Sequence, residues 1–378
     1  MLRRTCPIAR TERFGGAWLP TRHEDIAAIA YDTDRFSSRS IIVSHFRQPR
    51  EAAPVGGVPP ISADPPFHHG ARKLLLPSFT KTAVGRHESA TREFCHALID
   101  GFAGRDSVDA AVEYAQHIPM RVMADLLGLP RADTDLFRGF VEDALENVDL
   151  PEDQRAPGEL FGYLADHVRD HAEHPRDDLT SALLEAELDG ARLGTGHVVG
   201  TLALLLLAGI DTTWSAIGAS LWHLAGAADD RRRLVTDEAL LPTAVEELLR
   251  AYAPVTMARL VKDDMHWRGV DMKADDWVLL PFPAANRDPE RFERAGEVVI
   301  DRQVNRHTAF GLGIHRCLGS HLARMELRVA LEVWLRRIPE FTIDGHDAVR
   351  WSGGQIRGPR ALPLRITAAG GGRRTSRR

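Results

Sequence analysis

Phe310-Gly311-Leu312-Gly313-Ile314-His315-Arg316-Cys317-Leu318-Gly319 is the stretch on which the fold turns. A cysteine stands on a glycine-rich turn, and helical spacing begins directly after it and runs from Leu318 to Ile338. The N-terminus of a helix offers unpaired N–H groups and the positive end of the helix dipole. Both effects are expected to lower the Cys317 pKa and favour the thiolate, the form that binds a metal. Gly311, Gly313 and Gly319 are expected to let the backbone turn sharply and approach a flat ligand. Phe310 is placed to pack under such a ligand, and His315 to donate to an anionic edge.

Upstream, helical spacing runs from His197 to about Ala225 and is apolar on nearly every face, the pattern of a helix buried in the middle of a fold. Its longest apolar run, Val198 to Ile210, is shorter than the roughly 18–20 residues that span a bilayer. An acid and two alcohols, Asp211-Thr212-Thr213, interrupt it. An unpartnered carboxylate is costly to bury, so its presence there requires a reason. Gly209 is expected to weaken the helix locally and open a groove. Shorter helices are expected over 90–102, 112–127 (with a kink or boundary at Pro119), 159–173 with a solvated surface, and 242–251. Residues 17–31 read as a strand, a turn and a helix. Residues 45–66 and 147–158 read as breaks, and 255–300 and 341–367 as short strands and turns. Many helices, a small β portion and no linker predict one mainly α domain over residues 1–366, with a disordered basic tail at 367–378.

Composition agrees with a globular chain of 378 residues, 44% hydrophobic and 27% charged. A net charge of −5 argues against a general nucleic-acid coat. Three scattered cysteines, Cys6, Cys95 and Cys317, make no disulfide framework and no paired zinc motif, which fits a reducing cytoplasm. The N-terminus lacks the apolar stretch of a signal peptide. His167, His171 and His174 have helical spacing that a metal could use, but a solvated helix face is the simpler reading. Arg231-Arg232-Arg233 is read as a solvated turn.

The FxxGxHxCxG pattern ending at Gly319 resembles, residue by residue, the heme-ligand signature of the cytochrome P450 superfamily, and the chain is similar to its soluble bacterial members over nearly its whole length. The resemblance implies a prism-like, mainly α fold with a small β region. Heme b (iron protoporphyrin IX) would lie between the long central helix and the helix that follows the cysteine. It implies Cys317 as axial ligand, with Phe310, Gly313, His315 and Gly319 around it. Ala208-Gly209-Ile210-Asp211-Thr212-Thr213 is similar to the family's oxygen-binding helix, which implies proton delivery by Asp211 and Thr212.

Asp64-Pro65-Pro66-Phe67-His68-His69-Gly70-Ala71-Arg72 resembles the start of the helix below the heme. His68 and Arg72, four apart, point the same way and suit a propionate. Arg259 fits the other propionate partner, and His315 completes the set. Glu247-Leu248-Leu249-Arg250 resembles the ExxR element, with Arg302 as a third member, although Val298-Val299 stands where the family often has Phe-Asp. The segment before Cys6-Pro7-Ile8-Ala9-Arg10 is shorter than in the family, so the first helix is expected to be truncated.

The function so implied is a monooxygenase that places one oxygen atom of O2 into a small organic substrate, by hydroxylation or epoxidation, in bacterial secondary metabolism. Such a protein is expected to be a cytoplasmic monomer, with no nucleic-acid or membrane partner. Electrons are expected from a separate ferredoxin or flavodoxin with its reductase, docking near Arg72, Arg316 and Arg324. Substrate contacts are expected from 41–62, 145–170, 204–208, 254–257 and 351–356. The alternatives are a heme-thiolate protein without oxygenase activity, against which Asp211 and Thr212 speak, and a peroxide-using enzyme, which needs an arginine that the central helix lacks. A zinc hydrolase built on the histidine cluster is a further alternative, which metal analysis would separate.

Overall fold

The computed structural model describes residues 2–44, 47, 58–146 and 157–366. The 45–66 and 147–158 breaks lie largely outside the described residues, and the basic tail from 367 wholly so. The central helix, Thr195–Gly226, has 32 residues and is about 48 Å long. In length and composition it could cross a membrane, yet 72% of its most apolar window is buried inside the fold. Its hydrophobicity is therefore that of a core axle. Leu202, Leu206, Ile210, Ile217, Leu221 and Leu224 are fully enclosed by the neighbouring helices.

Helices His117–Leu127, Pro157–Glu173 and the cysteine helix Ser320–Arg337 pack most extensively on this axle, and Thr134–Val141, Leu179–Glu185, Ala228–Thr236 and Leu241–Ala251 also touch it. Helix Glu88–Gly101 packs against the outer side of the cysteine helix. Trp334 is wholly buried there, among Phe102, Tyr114 and Phe341, with ring centroids 5.0–6.1 Å apart. Such aromatic clusters add stabilisation beyond the area they bury.

The β portion lies to one side. Five strands run in the order Ile8–Thr11, Ala17–Pro20, Trp277–Pro281, Thr256–Val261 and Phe36–Ser37. All pairs are antiparallel except Ala17–Pro20 with Trp277–Pro281. Arg259 stands opposite Val278 in this sheet. A terminal hairpin, Arg350–Trp351 with Pro359–Ala361, returns to the central helix. Its tip is strapped to the sheet: Thr256 N donates to Gln355 O at 2.9 Å and Arg357 N to Pro254 O at 2.9 Å.

Several expectations are corrected. The 112–127 helix is broken at Gln116, where a wide-turn (π) segment, Ala111–Ala115, meets the α-helix, and Pro119 sits harmlessly in the first turn. Helix Pro157–Glu173 is amphipathic rather than solvated, since Leu160, Leu164, His167, Val168 and His171 are buried. His167 bonds Leu127 O and Thr180 Oγ1, His171 bonds Asp178 at 2.9 Å, and His174 is exposed. Among the described residues no three such side chains are grouped to hold a metal ion.

Arg231 is not in a solvated turn either. It lies in helix Ala228–Thr236, buried over Phe341 and bonded to Leu224 O and Glu340. At the N-terminal end stands a short helix, Leu2–Thr5.

Candidate functional site

The loop that carries Cys317 is held at both ends. Cys317 N donates to Phe310 O at 2.7 Å and Arg316 N to Gly313 O at 3.1 Å, so the chain folds back on itself before the helix begins at Ser320. Gly313 has φ +69°, and a Cβ there would overlap the carbonyl of Ala30 at the end of helix His23–Tyr31. Contact with a neighbouring helix therefore requires a glycine here. Gly319 has an ordinary conformation, and a side chain there would meet only Phe79 at van der Waals distance.

Phe310 is covered on one face by the Arg324 guanidinium, 4.3 Å from the ring centroid. Arg324 in turn grips Glu246 through two hydrogen bonds of 2.6 and 2.8 Å, and His307 adds a third contact at 3.1 Å. Burial alone would push the Glu246 carboxyl up, but the hydrogen bonds from Arg324 and His307 override it and bring it down to about 2. Arg324, expected on a docking face, is engaged in this half-buried ion pair.

The ExxR helix supplies the second clamp. Glu247 and Arg250 are fully buried and joined by two 2.8 Å hydrogen bonds. Arg302 Nε at 2.9 Å, Asn305 Nδ2 at 3.1 Å and Val299 N at 2.8 Å also donate to Glu247. Arg250 donates onward to the carbonyls of Asn286, Ala295 and Glu297. Two charges from one helix turn thereby fix the irregular 286–305 segment that leads into the cysteine loop. Asn286 closes the last gap by accepting from Thr308 N and Oγ1 at 2.6 and 2.9 Å.

Cys317 itself is exposed to solvent-sized space although many protein atoms surround it. Its thiol pKa is raised, not lowered: burial dominates over the Gly319 N–H and the charges of Arg72, Arg316 and Arg324. The lowering expected from the helix terminus is present but outweighed. A coordinated metal ion would reverse that balance, since a ligating thiol is deprotonated outright.

Beside it gather four cationic or donor groups. His68 and His315 have ring centroids 4.4 Å apart, Arg72 donates to Arg316 O at 2.5 Å, and Arg259 donates to Ala258 O at 2.8 Å. Both ring nitrogens of His68 and Nε2 of His315 are buried without a hydrogen-bond partner. Burial, reinforced by Arg72, brings the His68 pKa down to about 4; burial and Arg259 hold His315 well below the usual range. Burial also lowers Arg259 to about 10, although Asp64 opposes it. Among the described residues neither Arg72 nor Arg259 has a carboxylate within ion-pair distance. Buried donors without acceptors are costly, so this basin is built for an anion brought from outside the chain. A dicarboxylate macrocycle whose metal accepts a sulfur ligand fits the donor set.

On the central helix the two candidate proton carriers face different ways. Thr212 is partly exposed and its hydroxyl donates to Ala208 O at 2.8 Å. With exposed Ala208, one turn earlier, it borders an opening. Asp211 is fully buried and turned toward the terminal hairpin, where Arg360 Nη2 meets its carboxylate at 2.6 Å. Here is the reason its burial required. The helix is continuous through Gly209, where a side chain would come within 2.5 Å of the Met123 sulfur. Its small size serves close packing against helix His117–Leu127.

Arg360 and Ser215 are site residues that sequence reasoning missed, and no local pattern marks either.

Comparison with known proteins follows the same lines. The family described as Cytochrome P450 matches residues 152–344. The chain is 34% identical over 374 residues to the mycinamicin IV hydroxylase/epoxidase of Micromonospora griseorubida, covering 96% of this chain and 93% of that one. It is 35% identical over 334 residues to the vitamin D(3) 25-hydroxylase of Pseudonocardia autotrophica, covering 87% and 82%. The solved structure of PksS, the bacillaene polyketide synthase cytochrome P450 of Bacillus subtilis 168, superposes with a TM-score of 0.86 at 30% identity, over 97% of this chain and 95% of that one. A deep open sulfur, a basin of unpaired donors and likeness along nearly the whole length converge: the chain belongs to the cytochrome P450 family, heme b enzymes that use O2 to oxygenate an organic molecule.

Proposed function

We propose that Cys317 would hold the heme iron through its sulfur, that His68, Arg72, Arg259 and His315 would hold the propionates, and that Asp211 and Thr212 deliver protons for the reaction. The observation that carries this reading is the pairing of an open, deeply placed sulfur with buried donors that lack acceptors. When bound, heme supplies the activation of O2 and the transfer of one oxygen atom to the substrate, tuned by its thiolate ligand. The chain supplies the rest. Phe310, Gly313 and Gly319 shape the ligand loop, braced from behind by Glu246–Arg324 and Glu247–Arg250. His68 and His315, kept neutral by burial, donate hydrogen bonds, while Arg72 and Arg259 carry the neutralising charge. Thr212, free to exchange its bond to Ala208 O for one toward the opening, offers a hydroxyl proton there.

The substrate is a small organic molecule, and relatives named for mycinamicin IV and for polyketide biosynthesis support natural-product tailoring. Residues 204–208, 254–257 and 351–356 supply its contacts. Electrons come from a separate ferredoxin or flavodoxin with its reductase, docking near exposed Arg316, and the site of action is the cytoplasm. The test is Thr212→Ala. Holoenzyme carrying it should bind heme normally and divert electrons from product to hydrogen peroxide. Unchanged partition would remove Thr212 from proton delivery.

A further inference from the structure

Between the central helix and the terminal hairpin lies a contact that the family signature does not mark. The strand Pro359–Ala361 approaches the face of the helix formed by Asp211, Trp214, Ser215 and Gly218. The approach depends on small residues on both sides. A Cβ at Gly358 would overlap Ser215, and one at Gly218 would press Pro359 at 3.3 Å. Through this gap Arg360 reaches back to the helix. Its Nη2 donates to Asp211 Oδ1 at 2.6 Å and its Nη1 to Ser215 Oγ at 3.1 Å, while its guanidinium carbon lies 4.3 Å from the Trp214 ring centroid.

The Arg360 side chain is 14% exposed and that of Asp211 1%, so the pair is shielded from water and from salt. An arginine held in this way, by a carboxylate, a hydroxyl and an aromatic face, has one orientation. Its strand is also tied to the tip of the hairpin, which is strapped to Pro254 and Thr256 at the start of the strand carrying Arg259.

We propose that Arg360 is a positioning residue of the oxygenation reaction: it holds the Asp211 side chain turned to the hairpin side of the central helix, so that the acid enters proton transfer from one fixed place. The inference rests on the assignment of proton delivery to Asp211 and Thr212. Asp211 and Thr212 are adjacent in sequence but face different ways, so a proton passing between them depends on where the carboxylate is held. Among the described residues Arg360 reaches the carboxylate from the terminal strand, and Ser215 Oγ lies 3.4 Å from the same oxygen. The hairpin that contributes to the substrate region thereby also sets the acid.

The test uses holoenzyme driven by NADPH through a surrogate ferredoxin and reductase, with dioxygen as the only probe. Oxygen uptake and its solvent deuterium isotope effect are compared for Asp211→Asn, Arg360→Gln, Arg360→Lys and the double variant Asp211→Asn/Arg360→Gln. Asp211→Asn should slow uptake at least fivefold and enlarge the isotope effect. If it leaves both unchanged, proton delivery by Asp211 is wrong. Given that effect, Arg360→Gln should slow uptake at least threefold, Arg360→Lys should recover part of it, and the double variant should be no slower than Asp211→Asn within twofold. Arg360→Gln within 1.5-fold of wild type, or a double variant whose losses multiply, would overturn the positioning role.

An infrared comparison reads the same contact without turnover. Arg360→Gln should shift or remove the ionised-carboxylate band that Asp211→Asn deletes. An unmoved band counts against the proposal. Should Arg360→Gln not yield holoenzyme, Arg360→Lys carries both readouts, because it keeps the charge and loses the two-pronged grip.

Discussion

Removing the Glu247 carboxylate is the perturbation whose cost can be worked most fully from the structure. Glu247→Ala leaves Arg250, wholly buried, with a charge and no counter-charge, and strips partners from Arg302, Asn305 and the Val299 N–H. Breaking a buried ion pair from one side costs about 3–5 kcal/mol. Arg250 keeps its three backbone carbonyls, which partly solvate the cation and argue for the lower end of that range. Against a total stability of about 5–15 kcal/mol this is a large fraction. At roughly 2 °C per kcal/mol for a chain of this size, the melting temperature should fall by about 6–10 °C. The assay is thermal unfolding of holoprotein at one fixed scan rate, with heme absorbance followed in parallel, because unfolding of a large protein is often irreversible. Heme should be released at or before global unfolding, since the 286–305 segment leads into the cysteine loop. The double variant Glu247→Leu/Arg250→Met should recover part of the loss by removing the orphaned charge, though the carbonyls of Asn286, Ala295 and Glu297 stay unsatisfied. A fall of less than about 2 °C in Glu247→Ala, with heme occupancy intact, would refute the reasoning that this cluster holds the loop.

Two further outcomes are expected. Gly313→Ala should yield little heme-loaded protein, because the left-handed φ costs about 1–2 kcal/mol and the added methyl meets the Ala30 carbonyl; heme content per polypeptide checks it, and normal occupancy would contradict the packing. Glu246 titrates at about 2 in the fold against 4.5 in the unfolded chain, a depressed carboxylate. Its stabilising contribution is therefore complete above about pH 4.5 and lost as pH falls toward 2. Glu246→Gln should flatten that part of the melting curve measured against pH, and an unchanged acid slope would count against the Arg324 and His307 contacts.

What the sequence made legible was local. Cys317 and its glycines, the ExxR pair and the apolar axle each occupy a single turn or helix, where spacing alone sets the geometry. Arg302 joined the Glu247 cluster through a loop whose residues lay close in sequence order to the cysteine. Elsewhere the deciding partner was remote. Asp211 looked like a carboxylate in need of a reason, and the reason, Arg360, lies 149 positions away on another element. His167 and His171 read as a solvated face, but they are buried with hydrogen bonds to Leu127 O, Thr180 and Asp178, which no periodicity can report. Gly209 and Gly313 each make room for a neighbouring helix, a contact that no local pattern reports. The Cys317 thiol was expected to be acidified by its helix terminus. Burial, a tertiary effect, reverses the sign until a metal ion restores it.

The most direct measurement is the absorbance of the reduced, carbon monoxide-bound protein in wild type and in Cys317→Ser. The wild type should show the red-shifted band that only thiolate-ligated heme gives, and Cys317→Ser, loaded with heme to the same extent, should lose it. A wild type without that band, or a Cys317→Ser variant that keeps it, would contradict the claim that this sulfur holds the iron.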